Sequence, residues 1–82
     1  MNRFFYVSIL VSEANGTIHY TGMTQNLRER VCDHNRGACR HTAKSRPWRL
    51  ETAIAFTCES KAREFERYLK SGSGREFARR HF

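Results

Sequence analysis

Apolar and polar positions change their period several times along the chain. Residues Phe4 to Ser12 are rich in aromatic and β-branched types, which predicts a strand. Glu13-Ala14-Asn15-Gly16 follows, and Asn-Gly is a strong hairpin-turn signal. Thr17 to Thr24 reads as the returning strand. Asn26 then suits a helix N-cap, with Glu29 three residues on as a capping box requires. A helix is expected from Leu27 to about Arg36, with Gly37 as its C′ residue and Leu27 and Val31 as its apolar seam.

Residues Ala38 to Arg46 are polar and basic, which predicts a loop with room for one helical turn. Pro47 biases Arg46 toward an extended backbone. Arg49 to Thr57 alternates around Leu50, Thr52, Ile54 and Phe56, the pattern of a third strand. Ser60 is the expected cap of a second helix running to about Ser71, with Ala62, Phe65 and Leu69 facing inward. Ser71-Gly72-Ser73-Gly74 is expected to break it. Arg75 to His81 then forms a short last helix that docks Phe77 and Phe82. Trp48, Phe4, Phe5, Phe56 and Phe65 are expected in the core. The order ββαβα plus a terminal helix predicts an α/β fold, with a small three-stranded, mostly antiparallel sheet flanked by helices.

Composition narrows the function. With 82 residues the chain allows one domain, residues 1–82, and a modest core. The net charge of +7, from 15 Lys and Arg against 8 Asp and Glu, favours a polyanionic partner. Nucleic acid stands ahead of an anionic membrane surface. The longest apolar stretch, Phe4 to Val11, is too short to span a bilayer, and no small-residue cleavage site follows it, so a cytoplasmic location is expected. Three cysteines, Cys32, Cys39 and Cys58, argue against a disulfide framework. Cys32-x-His34 and Cys39-x-His41 put four potential zinc ligands close in sequence, but at a spacing that fits no common zinc motif.

The candidate chemistry begins with Tyr20-Thr21-Gly22 at the end of the second strand. The glycine admits a close backbone or phosphate, and the phenol can donate or accept a proton. Arg30 and His34 stand four apart and share one helix face. A guanidinium suits a phosphate, and an imidazole can move a proton near neutral pH. Glu66 shares a helix face with Ala62 and Leu69, so it is expected to be half-buried and able to ligate a hard cation. Arg28, Arg36, Arg40, Lys44, Arg46 and Lys70 are candidates to line a path for the phosphate backbone. Singly, each of these residues has an ordinary explanation; Glu66, for one, has an i,i+4 partner in Lys70. Their joint order along the chain has none.

At these residues the chain resembles the GIY-YIG nuclease domain. Tyr20-Thr21-Gly22 stands at the second motif of that family and Tyr6-Val7-Ser8 at the first; Arg30, His34-Asn35 and Glu66 follow in order. His41-Thr42-Ala43, Arg46-Pro47-Trp48 and Glu66-Arg67-Tyr68-Leu69-Lys70 resemble a subgroup of small stand-alone bacterial domains and the Slx1-type structure-specific endonucleases. The resemblance implies hydrolysis of DNA phosphodiester bonds with one divalent ion, Mg²⁺ or Mn²⁺, held by Glu66. It implies that Arg30 stabilises phosphate charge and that Tyr20 and His34 orient or activate water. With no attached targeting domain, sequence specificity should be low, with a preference for single strands or branches, or reliance on a protein partner or a second copy.

One position departs from the family. Its first motif ends in a tyrosine often assigned as general base, and Ser8 stands there. Tyr6 is the candidate substitute, on the same strand face but about 6–7 Å away. A second reading is therefore a nucleic-acid-binding module of the same fold with little or no catalysis. A third is a nuclease subunit active only inside a larger DNA-repair complex.

Overall fold

The computed structural model describes residues 3–82, so the first two residues of the expected domain lie outside it. The elements in chain order are β1 (Phe5–Ser12), β2 (His19–Thr24), α1 (Leu27–Asn35), α2 (Arg40–Ala43), β3 (Trp48–Phe56), α3 (Glu59–Leu69) and α4 (Gly72–His81). The sheet runs β2-β1-β3, antiparallel throughout. This is the expected ββαβα order with its terminal helix.

β1 is the central strand, and its residues Val7 to Ser12 are buried on both faces. Strand alternation divides them between two layers. Val7 and Ile9 join Ala62 and Leu69 of α3 in the main core, with Phe5, Met23, Phe56, Phe65 and Phe77 packed around them. Ser8, Leu10 and Ser12 point the other way, toward Gly22, Tyr20 and Trp48, their partners across the ladders. The second layer, under α1 and α2, carries the candidate site.

Two strand details differ from the sequence pattern. The hairpin loop is longer than a two-residue Asn-Gly turn: Ser12 N–H donates to the Ile18 carbonyl, and β2 begins at His19. Asn15 works through its side chain, its Oδ1 accepting from the Thr17 N–H at 3.1 Å and the Thr17 hydroxyl at 2.7 Å. Gly37, not Gly16, is the glycine with positive φ, at 81° past the end of α1. In β3 the alternation is interrupted. Ile9 pairs with Thr52 but Leu10 pairs with Leu50, which leaves Glu51 as an extra residue. The bulge carries Leu50 and Trp48 to the face opposite Thr52, Ile54 and Phe56. Leu50, an apolar position of the expected β3 alternation, is consequently 36% exposed.

The helices correct two further boundaries. Cys58, not Ser60, occupies the N-cap of α3 and makes no side-chain capping bond; Ser60 lies inside the first turn with its hydroxyl 3.1 Å from the Cys58 sulfur. The Ser-Gly run does not break the chain for long. Ser71 caps α4, its hydroxyl accepting from the Gly74 N–H at 3.2 Å, and the helix starts at Gly72. Gly74 is buried, and a Cβ there would strike the Tyr68 carbonyl. Glycine thus lets α4 approach the end of α3, where Phe77 packs edge-on to Phe65 at 6.4 Å.

Candidate functional site

α1 is poor in apolar residues, and its one fully buried side chain is His34. Leu27 and Val31, the expected seam, are half-buried. Polar ties fix the helix instead. The Asn26 side chain caps its start by accepting from the Glu29 N–H at 3.0 Å. At its other end the Asn35 amide donates to the Trp48 carbonyl at 3.0 Å and accepts from the Trp48 N–H. Trp48, 3% exposed, donates through Nε1 to the Thr42 carbonyl at 2.8 Å. The Thr42 hydroxyl in turn lies 2.7 Å from His34 Nδ1. A chain of polar contacts therefore runs from Asn35 through Trp48 and Thr42 to His34.

Around that frame the structure gathers three of the sequence-derived residues. The His34 and Tyr20 rings are 4.9 Å apart, and Trp48 stands edge-on to both, at 6.4 and 6.5 Å. The Arg30 guanidinium lies 5.6 Å from the Tyr20 ring centre, within cation–π range. It also rests against Gly22, where a Cβ would collide with it. Among the described residues Arg30 makes no ion pair, and its Nε is buried without a hydrogen-bond partner. A buried, unpaired guanidinium donor is a natural receptor for an anionic oxygen. Burial lowers the His34 pKa below its ordinary value of 6.5, and the nearby Arg30 charge lowers it further, against a smaller opposing effect of Asp33. At neutral pH the imidazole is uncharged and able to accept a proton.

Glu66 is half-buried on α3, in the layer behind the sheet, and its Oε2 pairs with Lys70 at 3.0 Å. The structure records no contact between Glu66 and Tyr20, Arg30 or His34. A cleft of about 710 Å³ along β2 and α4 is lined by Tyr20 and Thr21 on one side and Lys70, Arg75 and Arg79 on the other. Tyr20 thus belongs both to the cluster and to the cleft beside the Glu66–Lys70 pair. Tyr6 pairs with Thr24, whereas Tyr20 pairs with Leu10 four positions along β1, about 13 Å away at strand spacing. Its ring lies 6.1 Å from that of Phe4, beside Gln25. Ser8 is 1% exposed, and its hydroxyl donates to the Gly22 carbonyl at 3.4 Å.

Most of the basic residues expected to line a DNA path fall in the α1 and α2 layer. Arg28, Arg40, Lys44 and Arg46 are exposed there; Arg36 pairs with Asp33 at 2.6 Å. Lys70 is on α3. Thr42 was legible in the sequence only as part of His41-Thr42-Ala43; its contact with His34 requires the two helices to be in place.

The residues present fit a divalent ion held lightly by the protein. Among the described residues no group of three or more His, Cys, Asp or Glu side chains could hold a metal. None of the three cysteines is in a disulfide, and Cys32, His34, Cys39 and His41 are not brought together as such a group. A single hard carboxylate such as Glu66 does suit Mg²⁺, which keeps several waters and takes its other ligands from substrate phosphate. No helix among the described residues is long and apolar enough to cross a membrane.

No curated protein and no solved structure matches the chain significantly. The model of the GIY-YIG catalytic domain matches residues 4–80, from before β1 to all but the last residue of α4. The chain belongs to the GIY-YIG catalytic-domain family, a family of nucleases that generally use divalent metal ions.

Proposed function

We propose that this single domain is an endonuclease that hydrolyses DNA phosphodiester bonds with low sequence specificity, favouring single-stranded or branched DNA. The observation that carries the proposal is the convergence of Tyr20, an unpaired Arg30 and an uncharged His34 on one side of β2. Arg30 binds the scissile phosphate and offsets the charge that builds in the transition state. His34 accepts the proton of the attacking water, and the Tyr20 hydroxyl orients that water. Glu66 would hold Mg²⁺ or Mn²⁺, which when bound supplies Lewis-acid help at the phosphate and leaving oxygen. Lys70 keeps the Glu66 carboxylate oriented. Arg28, Arg40, Lys44 and Arg46 hold the DNA backbone without reading bases. Three free thiols agree with a reducing, cytoplasmic setting. A protein partner or a second copy would supply targeting.

Labelled single-stranded, duplex and branched DNA, incubated with the protein and Mg²⁺, Mn²⁺ or EDTA, tests this. Cleavage is expected with metal, lost with EDTA and lost in Glu66→Ala. Binding without cleavage in every metal would favour a binding module instead. The buried Ser8, bound to a strand carbonyl and offering no base, is the feature on that side.

A further inference from the structure

The Thr42 hydroxyl has one proton to give, and both Cys39 and His34 stand beside it. On one side lies the Cys39 carbonyl at 3.3 Å, which can only accept. On the other lies His34 Nδ1 at 2.7 Å, which donates or accepts according to its tautomer. If the hydroxyl gives its proton to Cys39, it turns a lone pair toward His34, and Nδ1 must carry the ring proton. The hydroxyl then makes both contacts at once, whereas the other tautomer forgoes the one to Cys39, whose carbonyl also accepts from the Thr42 N–H at 3.2 Å. Thr42 cannot swing away, because it is 3% exposed and its own carbonyl holds the Trp48 indole. Among the described residues His34 Nε2 makes no hydrogen bond. It is not sealed off either, since Arg30 Nε is the one buried side-chain nitrogen or oxygen without a partner among the described residues.

We propose that Thr42 is a positioning residue that holds His34 as the Nδ1–H tautomer, leaving the Nε2 lone pair open to the site. The role rests on the reading of His34 as the proton acceptor, but the tautomer itself does not. The competing Nε2–H form would direct a proton, not a lone pair, at the incoming water. The carboxylate that commonly orients a catalytic imidazole is replaced here by a neutral hydroxyl. The histidine is thereby aligned without its pKa being raised, in keeping with the charge of Arg30 nearby.

The test uses the full chain, ¹⁵N-labelled, at a pH above the His34 titration. Two-bond ¹H–¹⁵N correlations of the His34 ring are expected to show a protonated Nδ1 and an unprotonated Nε2. In Thr42→Val the Nε2–H form should gain, and in Thr42→Ser the wild-type pattern should persist. DNA cleavage should follow: kcat falls roughly tenfold or more in Thr42→Val with KM little changed, and recovers in Thr42→Ser. A wild-type spectrum with the proton on Nε2, or a Thr42→Val spectrum unchanged from wild type, overturns the assignment. Should Thr42→Val fail to fold, the wild-type spectrum decides alone. A chain that cleaves no DNA yet shows the expected tautomer defeats the nuclease proposal and leaves this one standing.

Discussion

The Arg30 guanidinium occupies the space that a Cβ on Gly22 would fill. The second-motif glycine therefore makes room for a side chain from α1. Gly22→Ala is expected to push Arg30 off the strand, since the colliding atoms are the far end of a flexible side chain. Cleavage should drop roughly tenfold or more, about 1.4 kcal/mol of lost transition-state stabilisation. The fold should survive, because alanine is tolerated in a strand at least as well as glycine. Rate assays beside a circular-dichroism melt check this; unchanged cleavage would remove Arg30 placement as the reason for the glycine.

Asn35→Ala removes both bonds to the Trp48 backbone and strands the Trp48 N–H. A loss of about 2 kcal/mol is expected, or roughly 10 °C in melting temperature for a domain of this size. Thermal and urea melts measure it. A shift under about 2 °C would mean that water replaces the amide.

The depressed pKa of His34 gives a signed pH dependence. On acidification the unfolded chain binds the histidine proton first, at its ordinary value near 6.5. Stability is unaffected above that value and falls as pH drops from there through the lower folded pKa, by at most about 1.4 kcal/mol per pH unit. Arg30 and Asp33 on α1 and Tyr20 on β2 face the ring, and only Asp33 counters the shift. Cleavage should lose activity on the acid side with a midpoint below 6.5. Urea melts of wild type and His34→Gln across pH 5–8 isolate the contribution; parallel curves would refute it.

Ser8→Ala should leave cleavage within about twofold and stability within about 1 kcal/mol, because the hydroxyl makes one long bond to Gly22 and does not reach solvent. Ser8→Tyr, by contrast, forces a ring into a fully buried position between β2 and β3. It should lower stability by about 1–3 kcal/mol, whatever it adds to catalysis. Cleavage and melting data on the pair separate the two effects; a tenfold rate loss in Ser8→Ala would make Ser8 a participant.

The sheet, three of the four helices and the meeting of Tyr20, Arg30 and His34 were readable from local signals; α2 falls where a loop with room for one helical turn was expected. The i,i+4 spacing of Arg30 and His34 and a glycine at the strand end carry that much by themselves. The β3 bulge was not readable, because Glu51 is one extra residue in an otherwise regular alternation. It is this bulge that turns Trp48 toward Tyr20 and His34 and leaves Leu50 in solvent. Nor was the Cys58 cap of α3 readable, since Ser60 is the better capping type and backbone geometry overrode it. Thr42 and Asn35 act across turns that sequence spacing does not resolve. Glu66 sat where its helix face predicted, half-buried and paired with Lys70.

The polar docking of α1 also divides the molecule into regions of unequal persistence. α3 and α4 share a continuous apolar core with β1, so their amides open only with most of the domain. α1 and α2 rest on a few hydrogen bonds and on tilted and edge-on ring contacts. Native-state hydrogen exchange should find them detaching as a separate unit, at lower free energy than the sheet. The half of the molecule that carries Arg30 and His34 is then the half able to breathe while the other half stays folded, and nucleic acid bound there would slow its exchange most.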